Sequence, residues 1–176
     1  MAYGKRMFVF WAVVFAAAVS CATESVVKEL FPWFEIGETV DAAKVREARL
    51  RKRDDPAPRE GVALRHLHSM EAKAGLRAYE EYLIVDAGMP TNDMAWVVLS
   101  VPDRKVLQMR HDIGCGSIAA ARKLDKELQA KFKPLKFEGG PKLLEIMKVV
   151  DQNVGIQLSD AEFGKEVNDW LKKMDR

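Results

Sequence analysis

The chain has little cysteine, and what it has cannot pair: Cys21 lies in a leader-like segment, which leaves Cys115 without an intramolecular partner. A disulfide framework is therefore excluded as the source of stability. Two readings remain for Cys115, a reactive thiol or a small side chain filling a tight loop. Histidine is equally scarce, with three residues. On a helix His66 and His68 would point about 200° apart and could not share a metal, unlike the i, i+4 histidines of zinc proteases. There is no CxxC, no HExxH and no nucleophile elbow with Ser/His/Asp spacing, so no complete catalytic constellation can be assembled from the sequence. A second hydrophobic run is also lacking. After residue 19 no segment is long and apolar enough to span a bilayer as a helix. Finally, the chain lacks excess charge. Of 28 Lys and Arg, Lys5 and Arg6 precede the first apolar run. Without residues 1–22 the chain carries 26 basic and 26 acidic residues, which argues against a nucleic-acid partner.

What is present begins with an export signal. Lys5 and Arg6 form a positive start, and Met7–Val19 is an apolar run of 13 residues, too short for an ordinary membrane helix. Small residues at Ser20-Cys21-Ala22 suit cleavage before Thr23. Alternatively, Ala18-Val19-Ser20-Cys21 resembles a bacterial lipobox, with Cys21 lipidated and retained. Either reading places the protein outside the cytoplasm, in the periplasm, the envelope or secreted. A plastid or endoplasmic-reticulum lumen is the alternative route. About 150 residues remain, one domain's worth.

The next stretch, residues 23–58, reads as a helical extension and linker. Phe31, Trp33, Phe34 and Ile36 are expected to pack onto the domain. Thr39–Asp54 has helical composition, with Thr39 or Asp41 as cap. Its Arg49, Arg51, Lys52 and Arg53 cluster reads either as a solvated helix end or as a contact for anionic lipid. Asp55-Pro56-Ala57-Pro58 stops the helix.

Residues 59–176 read as a single α/β domain, with α+β as the alternative. A small mixed sheet is built on the 95–111 hairpin and packed between helices. Glu60–Tyr82 has apolar positions at 3–4 spacing (Leu64, Leu67, Ala74, Ala78, Tyr82) and predicts a helix. Leu83-Ile84-Val85 suits a helix end or a short strand. Ala95–Val101 and Val106–His111 are β-rich and flank Pro102-Asp103-Arg104-Lys105, a turn sequence. A two-residue turn pairs position i with 207 − i. This puts Trp96, Val98, Leu107 and Met109 on one core-facing surface, with the first strand central and the second near an edge. Ser117–Phe132 predicts a helix with a stripe of Ile118, Ala121, Leu124, Leu128 and Phe132. Pro141–Val150 predicts another, Gly155–Leu158 a short strand. Ser159-Asp160-Ala161-Glu162 is a capping box before a last helix striped by Phe163, Val167, Trp170, Leu171 and Met174.

One place gathers potential ligands. The register brings Asn92, Asp93, His111 and Asp112 to the open end of the hairpin. Gly114-Cys115-Gly116 follows, and Ser117 can cap the next helix, whose first N–H groups lack partners. Gly114, Gly116 and Ser117 thus form a candidate anion cradle, and Asp93 and Asp112 candidate ligands for a hard cation, Ca²⁺ or Mg²⁺. The alternative is a plain loop, strand end and turn.

The stretch AGMPTNDMAWVVLSVPDRKVLQMRHDIG resembles the signature of the TPM domain family. The matching elements are Gly88-Met89, Thr91, Asn92-Asp93, the apolar Val97–Ser100, the turn Asp103-Arg104-Lys105, and Asp112–Gly114. The resemblance spans roughly Arg77–Val150. It implies an extracytoplasmic α/β/α sandwich acting as an accessory to membrane proteins or as an acid phosphatase. It also implies calcium held by acidic residues near the sheet's end, here Asp93 and Asp112 and more weakly Asp103.

The expected function is therefore an exported, non-enzymatic accessory or interaction domain, associated with a membrane protein or envelope component and able to take a divalent cation. The first alternative is a metal-assisted phosphatase, with Asp93 and Asp112 holding the ion that polarises a phosphoryl group. The second is a structural envelope lipoprotein.

Overall fold

The computed structural model describes residues 27–41, 62–86, 88–132, 142–146 and 152–174. The leader, Cys21, the helix expected beyond Asp41, the Arg49–Arg53 cluster and the proline linker lie outside the described residues. The chain divides into two compact units, Met1–Pro32 and Trp33–Arg176. In the first, Leu30 and Phe31 are buried. The second holds the whole sheet. No helix among the described residues is long and apolar enough to cross a membrane.

Six strands form one sheet: β1 (Val62–Met70), β2 (Tyr79–Asp86), β3 (Met94–Ser100), β4 (Val106–Gly114), β5 (Lys142–Ile146) and β6 (Asn153–Asp160). Their order is β1-β2-β3-β4-β6-β5. All pairings are antiparallel. Besides a helical segment at residues 27–30, the helices among the described residues are α1 (Ile118–Phe132), between β4 and β5, and α2 (Ala161–Met174), after β6. The α/β class holds, in its α+β form, because a four-strand meander needs no helical crossovers.

The helix expected over Glu60–Tyr82 is instead the β1–β2 hairpin. Lys73 and Leu76 exchange two backbone hydrogen bonds of 2.9 Å around Ala74-Gly75, and Gly75 has φ +86°. Only glycine takes that conformation without steric cost. The Ala, Leu, Arg and Lys content favours helix locally, but strand pairing outweighs propensities worth tenths of a kcal/mol per residue. Leu83–Val85 belong to β2. The helix expected over Pro141–Val150 also fails, since Lys142–Ile146 pair with β6 as an edge strand. A short apolar run has no periodicity to separate the two states.

The hairpin β3–β4 exists where the sequence places it, but its register is shifted. Trp96 faces Arg110, Val97 faces Met109, and a bulge separates the Val98↔Gln108 pair from Leu99↔Val106. The turn is longer than two residues. Ser100 N–H donates to Lys105 carbonyl (2.9 Å) and Arg104 N–H to Ser100 carbonyl (2.9 Å), with Arg104 at φ 55°. A slip of one residue moves every side chain to the other face. The expected surface therefore splits. Val97, Leu99 and Met109 lie on one face, with Trp96 and Val98 on the other. Nor is β4 an edge: it sits between β3 and β6, and the edges are β1 and β5.

Register then defines two sheet faces. On the first, the rows Leu64–Ile84–Ala95–His111–Ile156 and His66–Tyr82–Val97–Met109–Leu158 run across five strands. Most of these side chains are fully buried. Phe34 and Val40 are buried as well, and residues 37–40 lie along the β3–β4 turn. Gly37 N–H donates to Val106 carbonyl and Val106 N–H to Glu38 carbonyl, both at 2.9 Å. Thr39 bridges Lys105 in extended conformation instead of capping a helix. On the second face, Phe163 of α2 packs with Leu76, Val98 and Leu107, and Met70, Tyr79, Val167 and Trp170 pack around them.

The helix starts follow their caps. Ser117 Oγ accepts from Ala120 N–H (3.2 Å). At α2 the cap is Asp160, not Ser159: its Oδ1 accepts from Glu162 N–H (3.1 Å) and Phe163 N–H (3.0 Å). Ser159 is the buried strand residue before it. The predicted stripes are only partly core. Ala121, Leu128 and Phe163 are buried, whereas Ile118, Leu171 and Met174 are exposed.

Candidate functional site

The end of the hairpin gathers Asp93, His111, Asp112 and Gly114, as counting along the strands suggested. Their partners differ. Asp93 precedes β3, and its Oδ1 accepts from Gly114 N–H at 3.0 Å. Its Oδ2 lies 3.2 Å from His111 Nε2. Both side chains are nearly buried, 12% exposed for His111 and 8% for Asp93. A carboxylate only accepts, so the ring nitrogen supplies the hydrogen. Trp33 meets the His111 ring edge-on at 5.0 Å and 81°. Trp33 Nε1 donates to Asp86 Oδ2 at 2.8 Å, and Gly88 N–H donates to the other oxygen at 2.9 Å. Asp86, Trp33, His111 and Asp93 thus tie the ends of β2, β3 and β4 into one polar-aromatic latch.

Gly114 has a steric role in this latch. A Cβ there would lie 2.5 Å from both Cβ and the carbonyl oxygen of Asn92. The bare backbone lets its N–H reach Asp93.

Asp112 lies one residue from His111, so strand alternation turns it to the other face. There Arg110 holds it with two bonds of 2.8 Å, Nε to Oδ1 and Nη2 to Oδ2. The same guanidinium stacks over Trp96, 5.2 Å from the ring centre. All four oxygens of Asp93 and Asp112 therefore have protein donors, on opposite faces. A cation shared by the two would have to take both carboxylates from those donors. Asp103 is exposed in the β3–β4 turn, at the far end of the hairpin. No group of three or more His, Cys, Asp or Glu side chains placed to hold a metal occurs among the described residues. Gly114, Gly116 and Ser117 do stand at the start of α1. Gly114 N–H is taken by Asp93, and Ser117 Oγ caps the helix.

Asp93 and His111 form an Asp–His pair of the kind that orients and supplies a base beside a nucleophile, and Cys115 follows shortly. The thiol, however, is directed elsewhere, with Sγ donating to Ile113 carbonyl at 3.5 Å. Burial pushes its pKa up, and the charge of Asp93 pushes it further. A thiol held protonated is a weak nucleophile. The geometry thus matches the tight-loop reading of Cys115.

Sequence reasoning missed the open part of the second face. Register aligns Arg65, Leu83, Trp96, Arg110 and Gln157 in one row across it. Where this row meets α2 there is a cavity of ≈ 170 Å³, lined among others by Tyr79, Trp96, Val98, Arg110, Phe163 and Val167. The signal in the sequence was the Trp96 and Arg110 pair, which the two-residue turn had put on opposite faces. The search for similar proteins finds no family model, no curated protein and no solved structure that matches the chain.

Proposed function

We propose that this protein is an exported, non-enzymatic accessory domain that binds a segment of a membrane or envelope protein on the open sheet face beside α2. The observation that carries this reading is the cavity where Trp96, with Arg110 stacked on it, meets Tyr79, Phe163 and Val167. Aromatic residues and arginine are the residues that dominate binding energy at protein interfaces. The guanidinium is already fixed by Asp112, so little side-chain entropy remains to be lost on binding. The leader-like start, the balanced charge of the rest and the resemblance to TPM domains support the same class of role. The phosphatase alternative has less support, because the carboxylates it needs are engaged by His111, Gly114 N–H and Arg110.

A photo-crosslinking residue at Gln108, tested in cells that export the protein, examines this. The expected result is a discrete adduct that disappears in Trp96→Ala and does not form from Lys123, which is exposed on α1. Equal, diffuse labelling at both positions argues against the docking face. Turnover of a phosphate ester that is lost in Asp112→Asn, at unchanged melting temperature, establishes the phosphatase instead.

A further inference from the structure

At the end of the second face away from α2, the sheet is open and forms a second groove of ≈ 240 Å³. Its walls include Leu83, Val85, Met89, Pro90 and Met94. Arg65, the only basic residue among the described residues of the lining, comes from β1 beside Leu83. Its Nε is buried and has no hydrogen-bond partner. Buried polar atoms are almost always paired, and an orphan on a guanidinium is among the more costly cases. Asp86 and Asp93 also line the groove, but each spends both carboxylate oxygens on other donors. Asp86 binds Trp33 and Gly88, and Asp93 binds His111 and Gly114.

We propose that this groove binds a small aliphatic monocarboxylate, with the carboxylate on the Arg65 guanidinium and the alkyl body on the Leu83, Val85 and Met94 wall. A planar two-oxygen anion matches the guanidinium fork of Arg65. The apolar wall favours a ligand with an alkyl body over a bare ion. With two carboxylates beside the one arginine, each further negative charge on a ligand is repelled, which favours a monoanion over a phosphate dianion. The site is distinct from the Trp96 groove and does not depend on it.

Octanoate is the probe, with octan-1-ol and octyl phosphate as comparisons, followed by ligand-observed NMR on the full chain. Octanoate is expected to bind in the range of about 0.1–5 mM, at least about tenfold more tightly than the alcohol, one charge-assisted hydrogen bond being worth that ratio or more. Arg65→Gln is expected to abolish this preference, and Arg65→Lys to retain only part of it. Should Arg65→Gln fail to fold, Met94→Glu adds a third carboxylate to the lining, on an exposed wall residue, and is expected to weaken octanoate at least as much. The proposal is overturned if octanoate and octanol bind alike, if octyl phosphate binds more tightly than octanoate, if octanoate ignores both variants, or if none is bound at about 5 mM.

Discussion

Gly114→Ala tests whether the latch is held by the bare backbone of Gly114. The new methyl would sit 2.5 Å from Asn92 Cβ and O, with the carbonyl carbon of Asn92 at 3.0 Å. Carbon–carbon contacts settle near 3.5–4.0 Å, so the loop must retreat by about 1 Å. Two of the obstructing atoms are main chain, and no rotamer change relieves them. The N–H of Gly114 also binds Asp93, and Gly114 itself pairs with Asn153 of β6. The retreat therefore strains a nearly buried carboxylate bond on one side and the strand ladder on the other. Overpacking of this kind costs about 1–3 kcal/mol, and weakening a charged hydrogen bond adds to it, for a total of about 2–4 kcal/mol. For a domain of this size that lowers the melting temperature by about 5–15 °C. Gly116→Ala is the internal control. Gly116 has φ +68° and nothing within 4 Å of a new Cβ, so only backbone strain applies, about 1 kcal/mol. Thermal and urea unfolding of both variants decide the matter. Combined with Asp93→Ala, Gly114→Ala should be less than additive, because both act on one bond. A Gly114→Ala protein that melts no lower than Gly116→Ala would refute the reasoning.

Two further predictions concern ionisation. Arg77 hydrogen bonds hold the Glu166 carboxyl below the usual glutamate range against the opposing effect of burial. A depressed folded pKa gives stabilisation that is complete above the unfolded value and lost as pH falls through the folded one. Arg77 is 34% exposed and solvent screens the pair, so Glu166→Gln should cost about 1 kcal/mol at neutral pH. The gap in urea midpoint from wild type should close below about pH 4, and a gap unchanged in acid refutes the linkage. Cys115 should react with thiol reagents with a pH midpoint above the ordinary thiol value of about 8.5. Asp93→Asn should lower that midpoint only partway, because burial is the larger cause. A midpoint at or below the ordinary value contradicts this account.

Much of the chain around the site was legible locally, in signals that act within a few residues. The Ser117 cap, the start of the last helix within one residue of its expected cap, the stripe through Ala121 and Leu128, and the two β-rich runs flanking Pro102–Lys105 all appear in the structure. Glu60–Tyr82 and Pro141–Val150 misled because strand formation there is imposed by neighbours. β1 and β5 are edge strands, and each pairs with a single partner that the sequence does not name.

The sequence by itself determined that a hairpin would bring Asp93, His111, Asp112 and Gly114 to one end, because two strands joined by a short turn must meet there. Only the tertiary structure decided what those residues do. A longer turn and a bulge at Leu107 changed the pairing by one residue, and side chains alternate with a period of two. That parity sent His111 into the buried row, to Asp93 and Trp33, and Asp112 to the other face, to Arg110. It also placed Trp96 beside Arg110, and β1 brought Arg65 to the same face. Turn length and long-range pairing leave no local signature, which is why the ends of the hairpin could be located from the sequence and its faces could not.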